Sequence, residues 1–400
     1  MIDKSELACV AAKYLQTNEA LHEALGTSAG GCSDLHPLGE GEHNLNFWFR
    51  DEATSRKFVL RVNVAAQPFH QNQVRYEYEA LRALEPSRRA PQPFYVDDSA
   101  QAPGKGALVI GFCEGQRLDF DHLRPGDLEC AAQLMADIHA VPVGDACPLF
   151  RPENPLRTLF DECVDRYRAY HASAFEDARV TKWVERFLGV AEPVSRESCP
   201  NADCTHIVNT ETLPSHFLIP AESALAMASC EQLAEYLAVG SSAGGQLLGE
   251  QLAERSSLVG HLSAYQQVSV SRHPRCQNPG SFVDWERPIV GEVAQDVAYF
   301  VAPTTTFWDS EFLFPADAVG EFVESYWRAV DGRLDRGGFD GRFRAWRMMT
   351  ALRSVTWCCR ALVTLGGEDS AAHMTEKAKA KLPIYLSDDF MNLLDRECFR

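Results

Sequence analysis

The chain has 400 residues, 46% of them hydrophobic and 24% charged. That composition supports a full core spread over two or three domain-sized parts and excludes a chain that is mostly disordered. A formal net charge of −18 and a pI near 5.1 repel phosphate backbones, so no nucleic-acid partner is expected, while cationic small molecules and metal ions are attracted.

Thirteen cysteines without a repeated CxxC pattern predict reduced thiols and a cytoplasmic location. The start, MIDKSELACVAAKYL, reads as an amphipathic helix rather than an apolar leader. The longest apolar runs, such as Ala107–Ile110, are too short to span a bilayer, so no membrane partner is expected.

In chain order, residues 4–25 read as one helix ending at Gly26. Strands follow at Leu35–Leu38 and Leu45–Arg50, joined by the loop Gly39-Glu40-Gly41-Glu42-His43-Asn44. The next strand, Lys57–Asn63, puts Lys57, Val59, Arg61 and Asn63 on one face and Phe58, Leu60 and Val62 on the other. Asn72–Leu84 has the stripe Val74, Tyr78, Leu81 and Leu84 of a helix. Two more strands fit Pro93–Asp97 and Ala107–Phe112. The first 112 residues therefore predict a small antiparallel sheet with one inserted helix.

From residue 113 to 400 the pattern is mainly helical. Helices fit Leu128–Ala140, Asn154–Tyr170, Val180–Leu188, Ala316–Val330, Phe339–Leu365 and Ala371–Lys381. Short strands fit Thr205–Val208, His216–Ile219 and Gly280–Trp285. The fold class predicted is α+β and bilobal, a β-rich first lobe and a larger helical second lobe with a cleft at the joint.

Four segments carry candidate chemistry. Glycines at 39 and 41 let backbone N–H groups approach a phosphate, although taken alone such a loop is more often a plain hairpin turn. Arg61 on its strand is a fixed cation that Glu77 on the next helix can hold in place, or the two form an ordinary surface pair. In Asn209-Thr210-Glu211-Thr212-Leu213-Pro214-Ser215-His216, a loop carboxylate between short strands can accept a proton from an attacking hydroxyl. In Gly280-Ser281-Phe282-Val283-Asp284-Trp285-Glu286, carboxylates at a strand end can hold a hard cation such as Mg²⁺. Asp296 reads as a helix-start residue that ties this last loop down.

Taken together, these segments resemble the aminoglycoside phosphotransferase and choline kinase-like family, over about Leu35 to Leu365. The resemblance implies a protein-kinase-like fold, nucleotide contacts by Gly39, Gly41, Asn44, Arg61 and Glu77, and a hinge at Val109–Glu114. It also implies a catalytic base at Glu211 and metal contacts by Asp284 and His216. The cofactors implied are ATP or GTP with Mg²⁺. The acceptor implied is a small hydroxyl compound of aminoglycoside or amino-alcohol type, including cationic ones. Ala132–His139 is similar to the family's helix before the catalytic loop.

The chain departs from the family's H-G-D-x-x-x-x-N pattern. It has Asn209-Thr210-Glu211 where that pattern has His-Gly-Asp, and His216 where it has Asn. Glu adds a methylene to the carboxylate, and imidazole suits softer metals than Mg²⁺. Residues 221–277 are expected to be a helical insertion, with helices at Ala228–Val239 and Gly245–Val268. Trp346, Arg353, Trp357 and Arg360 on the long late helix are expected near an acceptor pocket, with Asp309, Glu311, Asp317, Glu321 and Glu324 facing it or solvent. The leading expectation is a small-molecule kinase. The alternative is a pseudokinase that binds nucleotide or a partner. A third reading, a metal-dependent hydrolase using His206, Glu211 and His216, lacks the helical HExxH spacing.

Overall fold

The structure is a computed structural model, and it describes residues 4–28, 30–40, 44–64, 72–197, 205–227, 278–365 and 376–400. The expected helices 228–239 and 245–268, Gly41 in the glycine loop, and residues 371–375 lie outside the described residues. The chain divides into two compact units. The first is Met1–Glu114 with Val143–Phe150 and Ser281–Pro288; the second is Gly115–Pro142, Arg151–Gly280 and Ile289–Arg400.

In the first unit, α1 (Lys4–Thr17) and α2 (Glu19–Leu25) replace the single helix expected over 4–25. Asn18 breaks it: its side chain accepts from Leu21 N at 2.9 Å, which favours a new helix start over continuation. Gly26, at φ +66°, closes α2 as expected.

Five antiparallel strands follow: β1 (His36–Glu40), β2 (Asn44–Arg50), β3 (Lys57–Asn63), β4 (Pro93–Asp97) and β5 (Ala107–Gly111), in the spatial order β1-β2-β3-β5-β4. Phe58, Leu60 and Val62 bury one face of β3 in a core with Leu7, Ala11, Leu15, Leu21 and Leu25 of the first two helices. Each such side chain contributes on the order of 1.5–3 kcal/mol. The alternation leaves Arg61 on the opposite face, level with Asn46 on β2 and Leu108 on β5. Between β3 and β4 lies α3 (Gln73–Leu84), capped by the Asn72 side chain and burying Val74, Glu77, Leu81 and Leu84.

The second unit begins with β6 (Gln116–Arg117) and the buried helix α4 (Asp127–His139). Then come α5 (Pro155–His171), α6 (Ala178–Ser195), β7 (His206–Val208), β8 (Phe217–Ile219) and α7 (Ala221–Met227). β6 pairs with β8, and β7 pairs with β9 (Ile289–Gly291), both antiparallel. These pairs hold the two ends of the 209–216 loop.

After β9 come α8 (Val293–Phe300), α9 (Pro303–Asp309), α10 (Ala316–Val330), α11 (Phe339–Leu365), α12 (Glu376–Tyr385) and α13 (Asp388–Cys398). α8 and α11 pack together, tied by a buried Glu292–Arg342 ion pair. No helix among the described residues is long and apolar enough to cross a membrane.

Candidate functional site

In the first unit, Arg61 is the centre of an acidic cluster. Its Nη2 lies 2.8 Å from Asp284 Oδ1 and also pairs with Glu286, and its Nε lies 3.2 Å from Glu77 Oε2. Burial opposes the guanidinium charge, but the three carboxylates outweigh it and raise the pKa. Glu77 is pushed up to about 8: burial is the main cause, Arg61 opposes it, and Glu286 and Asp284 add repulsion. Arg61 is thus shared by three carboxyl groups.

Asn44, at the start of β2, donates to Glu286 and accepts from Asn63 Nδ2 at 3.1 Å. Gln73 Nε2 reaches Glu286 O at 2.6 Å. The structure thus brings Asn44, Arg61, Glu77 and Asp284, expected from the sequence as site residues, to one place together with Glu286. Gly39 sits in β1 opposite Asn46. The hinge candidate continues from β5: Phe112 N donates to Lys57 O at 3.2 Å, and Lys57 Nζ pairs with exposed Glu114 at 2.8 Å.

Asp284 has φ +66°, a left-handed conformation that non-glycine residues rarely adopt. Next to it Trp285 is fully buried, with Nε1 donating to Phe282 O at 2.8 Å. The buried tryptophan anchors the turn that carries the aspartate.

In the second unit, Asp296 organises the 209–216 loop. Its Oδ2 accepts from Asn209 N at 2.7 Å and its Oδ1 from Thr210 N at 2.9 Å, while its carbonyl accepts from Thr212 Oγ1 at 2.8 Å. His139, fully buried at the end of α4, lies between Asp296 Oδ2 (3.2 Å from Nε2) and Tyr326 OH (2.9 Å from Nδ1). Asp296 lies in the first turn of α8, as the helix-start reading expects, but it is not the cap and it holds a different loop. α8 begins three residues earlier with Glu292 at its N-cap, and the loop Asp296 ties down is 209–212 rather than 280–286.

Thr210 has φ +72°. Glu211 N donates to Asn209 Oδ1 at 3.1 Å, and His216 Nδ1 lies 3.0 Å from Glu211 O. Arg353 of α11 donates from Nη1 to Thr210 O at 3.0 Å and pairs through Nη2 with Glu211. Its guanidinium also lies 5.7 Å from the Tyr299 ring centroid.

The aromatic and acidic residues expected near an acceptor divide. Trp346 is buried core, whereas Trp357 is half-buried, edge-on to Trp308 at 5.4 Å. Asp309 accepts from Ser215 Oγ at 3.1 Å and pairs with Lys377, and Glu324 pairs with Arg336. Gly280 ends the segment before Ser281 at φ +113°, where a Cβ would fall 2.1 Å from Leu218 O, so only glycine fits.

Among the described residues, no group of three or more His, Cys, Asp or Glu is arranged to hold a metal ion by itself. Mg²⁺ normally takes only one or two carboxylates and completes its shell with water and phosphate oxygens. Asp284 and Glu286, both at the Arg61 guanidinium, supply hard carboxylate oxygens, so their donor chemistry fits such an ion.

The two-unit α+β architecture is that of the protein-kinase-like fold. Residues 34–197 match the model of a phosphotransferase enzyme family. No curated protein matches the sequence. Among solved structures, the chain is similar to an ethanolamine kinase from Plasmodium vivax, with 12% identity, 98% of this chain and 97% of that one covered, and a TM-score of 0.55. It is similar to a choline kinase from Cryptosporidium parvum, with 12% identity, coverage of 99% and 97%, and a TM-score of 0.54. A spectinomycin phosphotransferase solved with ADP and spectinomycin has 9% identity, coverage of 92% and 93%, and a TM-score of 0.52. At these identities the likeness is one of fold. The resemblance read from the sequence, and the α+β protein-kinase-like fold it implied, are borne out.

Proposed function

We propose that the protein transfers the γ-phosphoryl group of ATP or GTP to a hydroxyl of a small molecule. The observation that carries this reading is the Arg61 cluster. A strand guanidinium is held by Glu77 and Asp284 in a chain whose residues 34–197 match a phosphotransferase family. Solved relatives of the fold bound to ADP and spectinomycin, or to GDP and kanamycin, support nucleotide and small-molecule ligands.

In this reading Arg61 binds the nucleotide phosphates, with Glu77 orienting its guanidinium. Gly39 and Asn44 flank the segment read as the phosphate loop. Asp284, helped by Glu286, would hold Mg²⁺, which would supply charge neutralisation at the phosphates. In the second unit Glu211 orients the acceptor hydroxyl and accepts its proton. The acceptor oxygen bonds to the γ-phosphorus as the bond to the β-phosphate bridging oxygen breaks, and the nucleoside diphosphate leaves with that electron pair. His216 is the weaker metal candidate, because imidazole suits softer cations. Binding and charge neutralisation are thus the work of first-unit residues, and proton acceptance that of a second-unit residue.

The test is nucleoside-diphosphate release by the purified protein with ATP or GTP and Mg²⁺ over amino alcohols, aminoglycosides and neutral polyols. Acceptor-dependent release that is lost in Asp284→Ala and Glu211→Gln supports the reading. Absence of release together with absence of a nucleotide-induced thermal shift sinks it.

A second reading is a nucleotide-binding pseudokinase. It is favoured by Glu211 being paired with Arg353. It predicts a nucleotide-induced thermal shift without turnover.

A further inference from the structure

The Glu211 side chain has three rotatable bonds, and its side chain is 37% exposed. Left alone in water, such a carboxylate samples many rotamers. A reacting group displaced by of order 1 Å can lose about a hundredfold in rate. Something must therefore fix this side chain if it is to meet a hydroxyl in one geometry.

Arg353 is built to do so. It is itself 13% exposed along its side chain and projects from the long helix α11. One nitrogen, Nη1, donates to Thr210 O at 3.0 Å, the carbonyl directly before Glu211. The other terminal nitrogen, Nη2, pairs with Glu211 Oε1. The planar guanidinium therefore spans the residue from its backbone side to its carboxylate. The Tyr299 ring at 5.7 Å limits where the guanidinium can go. The carbonyl it grips belongs to a residue at φ +72°, a conformation that needs outside support.

We infer that Arg353 is a positioning residue: it locks the Glu211 carboxylate and the Thr210–Glu211 backbone into one conformation so that the carboxylate can meet an acceptor hydroxyl. The inference rests on the phosphotransfer reading for its consequence on rate, but the locking itself is tested separately, by structure.

The experiment compares Arg353→Met, Glu211→Asp and the double variant, with nucleotide and a turned-over acceptor at saturation. Arg353→Met should lower kcat about 10- to 100-fold and leave the KM for nucleotide within about twofold. In the Glu211→Asp background, where the side chain has one fewer rotatable bond, the same change should cost less than about threefold. Equal losses in both backgrounds, or a loss carried by the nucleotide KM, overturns the inference.

A second arm does not need turnover. Crystal structures of the wild type and Arg353→Met should show Glu211 in one rotamer and then in several. A single unchanged rotamer in the variant overturns the inference whether or not the protein transfers phosphate. If the wild type turns over no acceptor, the functional reading fails while this arm still decides the role of Arg353. Should Arg353→Met not fold, Arg353→Lys keeps the charge but not the two-pronged geometry. It should show the same loss of rotamer order, and an undisturbed Glu211 would count against the proposal.

Discussion

The backbone N–H of Thr210 donates to Oδ1 of Asp296 at 2.9 Å, and this bond holds a β-branched residue at φ +72°. The neighbouring N–H of Asn209 uses the other oxygen of the same carboxylate. A fully buried aspartate, reached also by His139, thus carries the strained turn from which Glu211 projects. Of the non-glycine residues with positive φ among the described residues, Thr210 and Asp284 both fall in the segments that carry candidate chemistry. Strain of this kind persists only where the surroundings over-determine it.

Asp296→Asn should destabilise the protein by about 2–4 kcal/mol. An amide offers one acceptor where two backbone N–H groups need two, and its NH₂ would face a donor in a buried site. Urea unfolding monitored by circular dichroism measures this. A loss below about 0.5 kcal/mol would show that the loop does not depend on the carboxylate.

Thr210→Gly should leave stability within about 1 kcal/mol of the wild type or raise it. Relief of a left-handed conformation, about 1–2 kcal/mol, offsets the extra chain entropy of glycine. Thr210→Val keeps the strain and should be no more stable than the wild type. Thermal unfolding of the two variants side by side decides it: Val above Gly would contradict the account.

Glu77 gives a pH dependence of defined sign. Its carboxyl is pushed up to about 8 in the folded protein from an ordinary 4.5, by burial first and then by Glu286 and Asp284. The folded state therefore keeps the proton over a range in which the unfolded chain has lost it. The stability contributed is full below about 4.5, falls as pH rises, and is gone above about 8. In Glu77→Gln the part of the slope between these limits should vanish in unfolding experiments run across that window. An unchanged slope would place the titration elsewhere.

Gly280→Ala should cost several kcal/mol or prevent folding. Its Cβ would fall 2.1 Å from Leu218 O, a backbone atom that cannot rotate away. Soluble expression and melting temperature read the effect. A near-native melting point would mean that β8 shifts freely.

Much of this was legible because it is local. α10 starts and stops, and α11 starts, where the sequence reading puts them. The period-two pattern of β3 assigns Arg61 to the face opposite Phe58, Leu60 and Val62, and a helix carboxylate at Glu77 meets it. What escaped is long-range. Arg353 and Arg360 are both expected near an acceptor, but nothing local says that Arg353 pairs with Glu211, 142 positions away. Asp296 looked like a helix-start residue because an aspartate near a helix start resembles a cap; only tertiary structure makes it the acceptor for a loop 86 positions away. Asn18 shows the local limit: within a continuous apolar period, a single side-chain cap splits α1 from α2.

The central claim is that the Arg61–Asp284 cluster binds a nucleotide with its metal. Titration calorimetry of ADP into the wild type, with Mg²⁺ and with EDTA, and into Asp284→Asn tests it most directly. The account predicts binding that Mg²⁺ tightens at least tenfold in the wild type, and a Mg²⁺ effect that disappears in Asp284→Asn. Binding of equal strength in all four combinations, or no binding in any, would contradict it.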